Sequence, residues 1–142
     1  MTPAALGGGM APTFRFRYTA IRARDLDRSI AFYGDVLGLP FEGRDAFPAN
    51  KGEAAYFRGE GMAHPLEVNW YAEDSPVAGP YREGEELDHL AFEVADLEEA
   101  LAYLDQEGHP TVLGPIESQA AVWAYVTDPD GIYVELFQRK GE

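Results

Sequence analysis

The sequence predicts an α+β fold built from two βαβββ modules in tandem, and three observations carry that expectation. The segment Ala23 to Tyr33 returns as Val94 to Leu104, offset by 71 residues from Asp25 to Asp96. The same offset pairs Tyr18 with His89, and Leu66-Glu67-Val68 is echoed 68 residues later by Val134-Glu135-Leu136. In each half a β-prone run precedes a capped amphipathic segment, and short strand candidates follow it. Repeats of this length mark duplicated supersecondary units that bury their faces together.

The elements follow in order. Phe14 to Ala23 carries Phe14, Phe16, Tyr18 and Ile21 and reads as a strand, with Phe14, Phe16, Tyr18 and Ala20 on one face. Asp25 sits where an N-cap belongs. Ile30, Phe32, Tyr33, Val36 and Leu37 follow at helical spacing, and Gly38 and Pro40 stop that helix. Leu39 to Arg44, Glu53 to Gly59 and Leu66 to Tyr71 are short strands between Gly, Pro and Asn punctuation. Residues 72–86 are rich in Asp, Glu, Gly and Pro and form a linker with a mobile part. The second half repeats the plan: a strand over Leu87 to Val94, then a helix capped by Asp96 and ended by Gly108. A strand opens at Thr111, and a hairpin follows from Val122 to Arg139 across Asp128-Pro129-Asp130-Gly131. One domain over residues 14–139 is therefore expected, with modules at about 14–71 and 87–139 after a flexible tail over residues 1–13.

Composition narrows the function classes. The 142 residues, 46% hydrophobic and 13% aromatic, suffice for a packed interior. A formal charge of −14 repels phosphates and anionic membranes, so nucleic acid and membrane partners are not expected. No stretch approaches a membrane span of about 20 apolar residues, and the start lacks the pattern of a signal peptide, so a cytoplasmic location is the expectation. With no cysteine, disulfides and thiolate metal sites are excluded.

The repeat also places chemistry. Glu67 and Glu135 answer each other, and His89 answers Tyr18. Glu135 alternates with Tyr133 and Phe137, so it points with aromatic residues to the enclosed side. An unpaired buried carboxylate there needs a cation or a proton. Glu67 shares a face with Asn69, and His89 one with Leu87, Ala91 and Glu93, opposite Asp88, Leu90 and Phe92. Two carboxylates and an imidazole make a sulfur-free site suited to Ni, Zn, Co, Mn or Fe(II). A divalent ion in such a site polarises a carbonyl, and Glu67 or Glu135 is the natural base. His64 and His109 lie in loops and read as incidental.

The segments Asp25 to Tyr33, Val36 to Leu39, Asp88 to Val94, and Asp128 to Gly131 with Val134 to Leu136 carry a family resemblance. Together they resemble the vicinal oxygen chelate superfamily, which includes glyoxalase I, methylmalonyl-CoA epimerase, extradiol dioxygenases and antibiotic-resistance binders. The pattern is closest to glyoxalase I-like proteins. The resemblance implies a curved mixed sheet around a cleft that holds a divalent metal, a small-molecule substrate and a homodimer. It assigns the ligand positions to Tyr18, Glu67, His89 and Glu135, with Tyr18 standing where the family has histidine. A neutral phenol is a weak ligand, because its ordinary pKa of about 10 keeps it protonated.

The same resemblance places substrate contacts at Arg22 and Asn69, with Tyr18, Trp70 and Trp123 beside them. Two further cationic anchors for a glutathione substrate fall on Glu85 and Ala121. The implied activity is metal-assisted proton transfer on a small α-hydroxycarbonyl or thioester-type compound, as in a lactoylglutathione lyase or an epimerase. The alternatives are a metal-free drug binder of the bleomycin-resistance type, with Trp70, Tyr71, Trp123 and Tyr125 lining its pocket, and a dioxygenase-like enzyme.

Overall fold

The computed structural model describes residues 11–141. Of the tail expected over residues 1–13, residues 1–10 lie outside the described residues, and 11–13 carry no helix or strand. The chain divides into two compact units. One comprises residues 17–90, and the other comprises residues 91–141 with residues 11–16.

In the unit of residues 17–90, β1 (Arg15–Arg22) leads into α1 (Leu26–Ile30). A π-helical stretch, Ala31–Val36, continues α1. Then come β2 (Phe41–Phe47), a 3₁₀ turn at Pro48–Asn50, β3 (Gly52–Phe57) and β4 (Leu66–Tyr71). The strands lie in the order β2-β3-β4-β1, antiparallel except for the parallel β1–β4 pair. Gly52 sits where β3 and β4 approach closely: a Cβ there would stand 2.8 Å from the Trp70 carbonyl oxygen. The core gathers Ala23, Leu26, Ala55, Phe57 and Val68, with Ile21, Ile30, Tyr33 and Trp70 packed against it. Odd-numbered β1 residues and even-numbered β4 residues thus face α1. Glu67, Asn69 and Tyr71 take the opposite face of β4, as strand alternation requires.

The second module, from Leu87 on, repeats this order of elements. Here β5 (Leu87–Glu93) leads into α2 (Leu97–Gln106), β6 (Leu113–Glu117), β7 (Ala121–Thr127) and β8 (Tyr133–Arg139). The order β6-β7-β8-β5 is the same permutation as β2-β3-β4-β1. Its core holds Val94, Leu97, Ala100, Ala124 and Leu136. Phe14 packs there too, its ring 6.2 Å from that of Tyr103.

Duplication reaches individual bonds. The Asp25 side chain accepts from the Arg28 N–H at φ −138°, ψ 107°. The Asp96 side chain accepts from the Glu99 N–H at φ −139°, ψ 106°. Each module then ties its first strand's exit to its last strand: Ala23 N–H donates to Asn69 O at 2.7 Å, and Val94 N–H to Phe137 O at 2.9 Å. The two helices differ. The predicted run through Leu37 widens after Ile30 into π geometry, with Leu37 N–H reaching Phe32 O, before Gly38 ends it at φ 73°.

The predicted turn at Asp128 to Gly131 closes as expected. Asp128 accepts the Asp130 and Ile132 N–H groups, and Gly131 takes φ 91°. Residues 72–86 contain neither helix nor strand, but they are stitched to their unit. Lys51 Nζ pairs with Asp74, Ser75 Oγ donates to Asn50 O at 2.7 Å, and Tyr81 OH donates to Glu86 at 2.6 Å. No helix among the described residues is long and apolar enough to cross a membrane.

Candidate functional site

β1, β4 and β5 bring Tyr18, Glu67 and His89 together in the unit of residues 17–90. β1 runs parallel to β4 with Ala20 beside Glu67. His89 is buried at 4% exposure. Its Nε2 lies 3.4 Å from Tyr18 OH and 3.8 Å from Glu67 Oε2. The Tyr18 and His89 rings meet edge to face, with centroids 5.7 Å apart. The second distance is too long for a hydrogen bond. It lies within the span of two donors that share an ion at about 2.0–2.2 Å each.

Strand alternation assigned Asp88 to the face opposite His89, and the structure corrects this. Asp88 Oδ2 turns to His89 Nδ1 at 2.8 Å. It also accepts from Tyr71 OH at 3.0 Å and from Asn69 Nδ2 at 3.3 Å. Adjacent strand residues rarely share a partner set, so period-2 reasoning had no signal for it. Burial first, then the charge of Asp88 and the hydrogen bond to it, push the Tyr71 phenol well above its ordinary value of 10. Tyr71 therefore remains an O–H donor.

Glu135 lies in the other compact unit, on β8, at 8% exposure. It pairs in register with Tyr125, whose hydroxyl donates to its Oε1 at 3.3 Å. Glu67 pairs in register with Tyr56 in the same way. A cross-strand Tyr–Glu pair thus recurs in both modules, a repeat the sequence comparison had passed over. Among the described residues no group of three or more His, Asp or Glu is arranged to hold a metal ion. His89 and Glu67 form a pair, and their N/O donor chemistry fits a divalent ion.

The expected substrate contacts separate. Arg22 Nη2 donates to Gly79 O at 2.6 Å, and its guanidinium packs 5.3 Å from the Tyr71 ring and 5.8 Å from that of Tyr81. With Arg24, Trp70, Glu73 and Tyr81 it lines a cavity of about 410 Å³. Trp70 lines this cavity while also packing on the core. Asn69, at 5% exposure, is engaged by Asp88. Trp123 is half-buried on β7 opposite Phe137 and shares a face with Tyr125. The two loop histidines have structural partners: His64 Nε2 meets Thr19 Oγ1 at 2.9 Å, and His109 Nδ1 donates to Thr127 O at 3.1 Å.

Comparison with known proteins identifies the family and the fold. The family model described as the Glyoxalase/Bleomycin resistance protein/Dioxygenase superfamily matches residues 15–136. A lactoylglutathione lyase of Salmonella typhimurium is 32% identical over 132 residues, covering 89% of this chain and 93% of that protein. A lactoylglutathione lyase of Neisseria meningitidis is also 32% identical, covering 89% and 91%. The crystal structure of methylmalonyl-CoA epimerase from Mycobacterium tuberculosis has the same fold, with a TM-score of 0.74 at 19% identity, covering 98% of this chain and 97% of that one. With the duplicated strand permutation, the repeated caps and a match that spans both modules, the chain belongs to the glyoxalase/bleomycin resistance protein/dioxygenase superfamily.

Proposed function

We propose that this protein is a glyoxalase-like enzyme of the lyase or epimerase type, acting by metal-assisted proton transfer on a small α-hydroxycarbonyl or thioester-type compound. The observation that carries the reading is the pair of buried His89 and partly buried Glu67, 3.8 Å apart, with His89 anchored from behind by Asp88. The lactoylglutathione lyase relatives, each about a third identical over most of their length, support the lyase type.

His89 and Glu67 would hold a divalent ion. Glu135 enters through its repeat position and its buried carboxylate. Such an ion, when bound, supplies Lewis-acid polarisation of a substrate carbonyl. The chain's own part is to orient the substrate and carry the proton. A carboxylate, Glu67 or Glu135, takes the proton from the carbon next to the carbonyl; in lyase chemistry it is returned to the former carbonyl carbon, and in epimerase chemistry to the opposite face of the same carbon. Arg22 and Arg24, in the 410 Å³ cavity, suit an anionic group on that substrate. Glu85 and Ala121 leave out two of the cations a glutathione substrate would use. A small-molecule substrate is the partner this reading requires, and the family resemblance implies a homodimer.

Metal analysis tests this directly. The purified protein, incubated with Ni, Zn, Mn or Fe(II), should retain about one ion per chain, and His89→Ala and Glu135→Ala should each lose it. Protein that remains metal-free under excess of all four ions overturns the enzyme reading in favour of a binder. Turnover of the methylglyoxal–glutathione hemithioacetal assigns lactoylglutathione lyase chemistry; metal without that turnover assigns epimerase or isomerase chemistry.

A further inference from the structure

A close polar contact to His89 comes from Asp88, a residue outside the ligand positions. Asp88 Oδ2 lies 2.8 Å from Nδ1, and an ionised carboxylate only accepts. The same oxygen receives the Tyr71 hydroxyl at 3.0 Å and the Asn69 amide at 3.3 Å. Three donors from β4 and β5 thus fix one oxygen in place. Both ends of the contact are shielded from water, with side-chain exposures of 5% for His89 and 16% for Asp88. On its other side, Nε2 faces a hydroxyl donor, Tyr18 OH at 3.4 Å, while Glu67 stays beyond hydrogen-bonding reach.

We propose that Asp88 is a positioning residue that locks His89 in the Nδ1–H tautomer, so that the Nε2 lone pair is presented toward Glu67 and Tyr18. Its purpose rests on the metal reading, because an imidazole ligand must offer an unprotonated nitrogen and its orientation is set by what the other nitrogen donates to. Its geometry does not depend on that reading. Asn69 and Tyr71 act one step further out: they hold the carboxylate that holds the ring. Asn69 then serves the site from behind, in place of the substrate contact the family pattern implied.

The test separates the two claims. Nitrogen-15 NMR of metal-free protein at about pH 8.5, above the ordinary histidine value of about 6.5, reads the tautomer of His89 without any metal. The wild type should show Nδ1–H. Tyr71→Phe, which removes one donor to Asp88 but not the acceptor, should keep it. Asp88→Ala should shift the ring toward Nε2–H. The Tyr71→Phe/Asp88→Ala double variant leaves no stranded hydroxyl and gives the same reading should the single variant fold poorly. A wild-type ring that is Nε2–H or doubly protonated overturns the proposal, as does an Nδ1–H ring that survives Asp88→Ala.

A zinc titration by calorimetry forms the second arm. Loss of Asp88 should weaken binding about 10–100-fold, and Tyr71→Phe should weaken it less. Unchanged zinc affinity in Asp88→Ala overturns the positioning role. A wild type that binds no zinc but keeps the lock sinks the metal reading alone, and supports Asp88 as the holder of the ring.

Discussion

At Tyr18 the duplicated pattern breaks, and the side chain's neighbours give the break a meaning. Tyr18 OH lies 3.4 Å from His89 Nε2, so the phenol stands beside the candidate ligand atom. A histidine at this position would put a second neutral nitrogen there. Tyr18→His should therefore raise zinc or nickel affinity by about tenfold or more, roughly 1.4 kcal/mol. Calorimetric titration of both proteins checks this, and equal affinities would show that position 18 does not reach the ion. Position 18, Glu67, His89 and Glu135 were all legible in the sequence, because the repeat offsets and the family motifs pin them. Asp88, Tyr56 and the hydroxyl of Tyr125 acting on Glu135 were not. Their importance lies in a carboxylate turned along the strand and in cross-strand register, and neither leaves a periodic mark.

At the scale of elements, the two capped helices show how closely local sequence controlled structure. Asp25 and Asp96 cap with nearly the same backbone angles because each precedes a Leu-acidic turn and offers a side-chain oxygen to the third residue on. Asp96→Ala should cost about 1 kcal/mol in denaturant unfolding; a change below a few tenths would mean that packing of α2, not its cap, sets that end. Beyond the cap the helices diverge. α2 runs ten residues, whereas α1 gives way to π geometry after five. The hydrophobic spacing from Ile30 to Leu37 suits either, and no residue of the π-helical stretch is buried.

The segment of residues 72–86 makes a similar point. Its composition reads as a mobile linker, yet Lys51 holds Asp74 and thereby the start of the segment. The hydrogen bond and charge of Lys51 lower the Asp74 carboxyl below its ordinary 3.8. Because the folded value lies below the unfolded one, the contact's contribution is present above about pH 3.8 and is lost as pH falls through the folded value. Carboxyl NMR should place the Asp74 midpoint below 3.8, and Lys51→Met should return it there. A midpoint already at 3.8 in the wild type would show that the pair is not formed in solution.

Over the whole molecule, the net charge sets a repulsion that acts on every part of the surface. Twenty-five acidic residues against eleven basic ones leave −14, and several described cations are committed to carboxylates, as with Arg44 to Asp27 and Glu53 and Lys140 to Glu117. The remaining repulsion is screened over about 10 Å at 0.1 M salt. Thermal unfolding should accordingly shift upward by a few degrees between roughly 0.01 and 0.3 M NaCl. A melting temperature that falls with salt would mean that the ion pairs outweigh the repulsion.

The sequence by itself determined the duplicated plan: two βαβββ modules, paired caps, the hairpin turn and the matched places of Tyr18, Glu67, His89 and Glu135. These follow from turn chemistry, periodicity and repetition, which act over a few residues at a time. Only the tertiary structure decided what those side chains meet. It drew Asp88 onto the buried nitrogen of His89, set Asn69 and Tyr71 behind that carboxylate, and wrapped Arg22 between two tyrosines. The physical reason is that, apart from the Asp88–His89 contact between chain neighbours, such contacts join residues 17 to 71 positions apart, and their geometry depends on strand register and burial that no local pattern encodes.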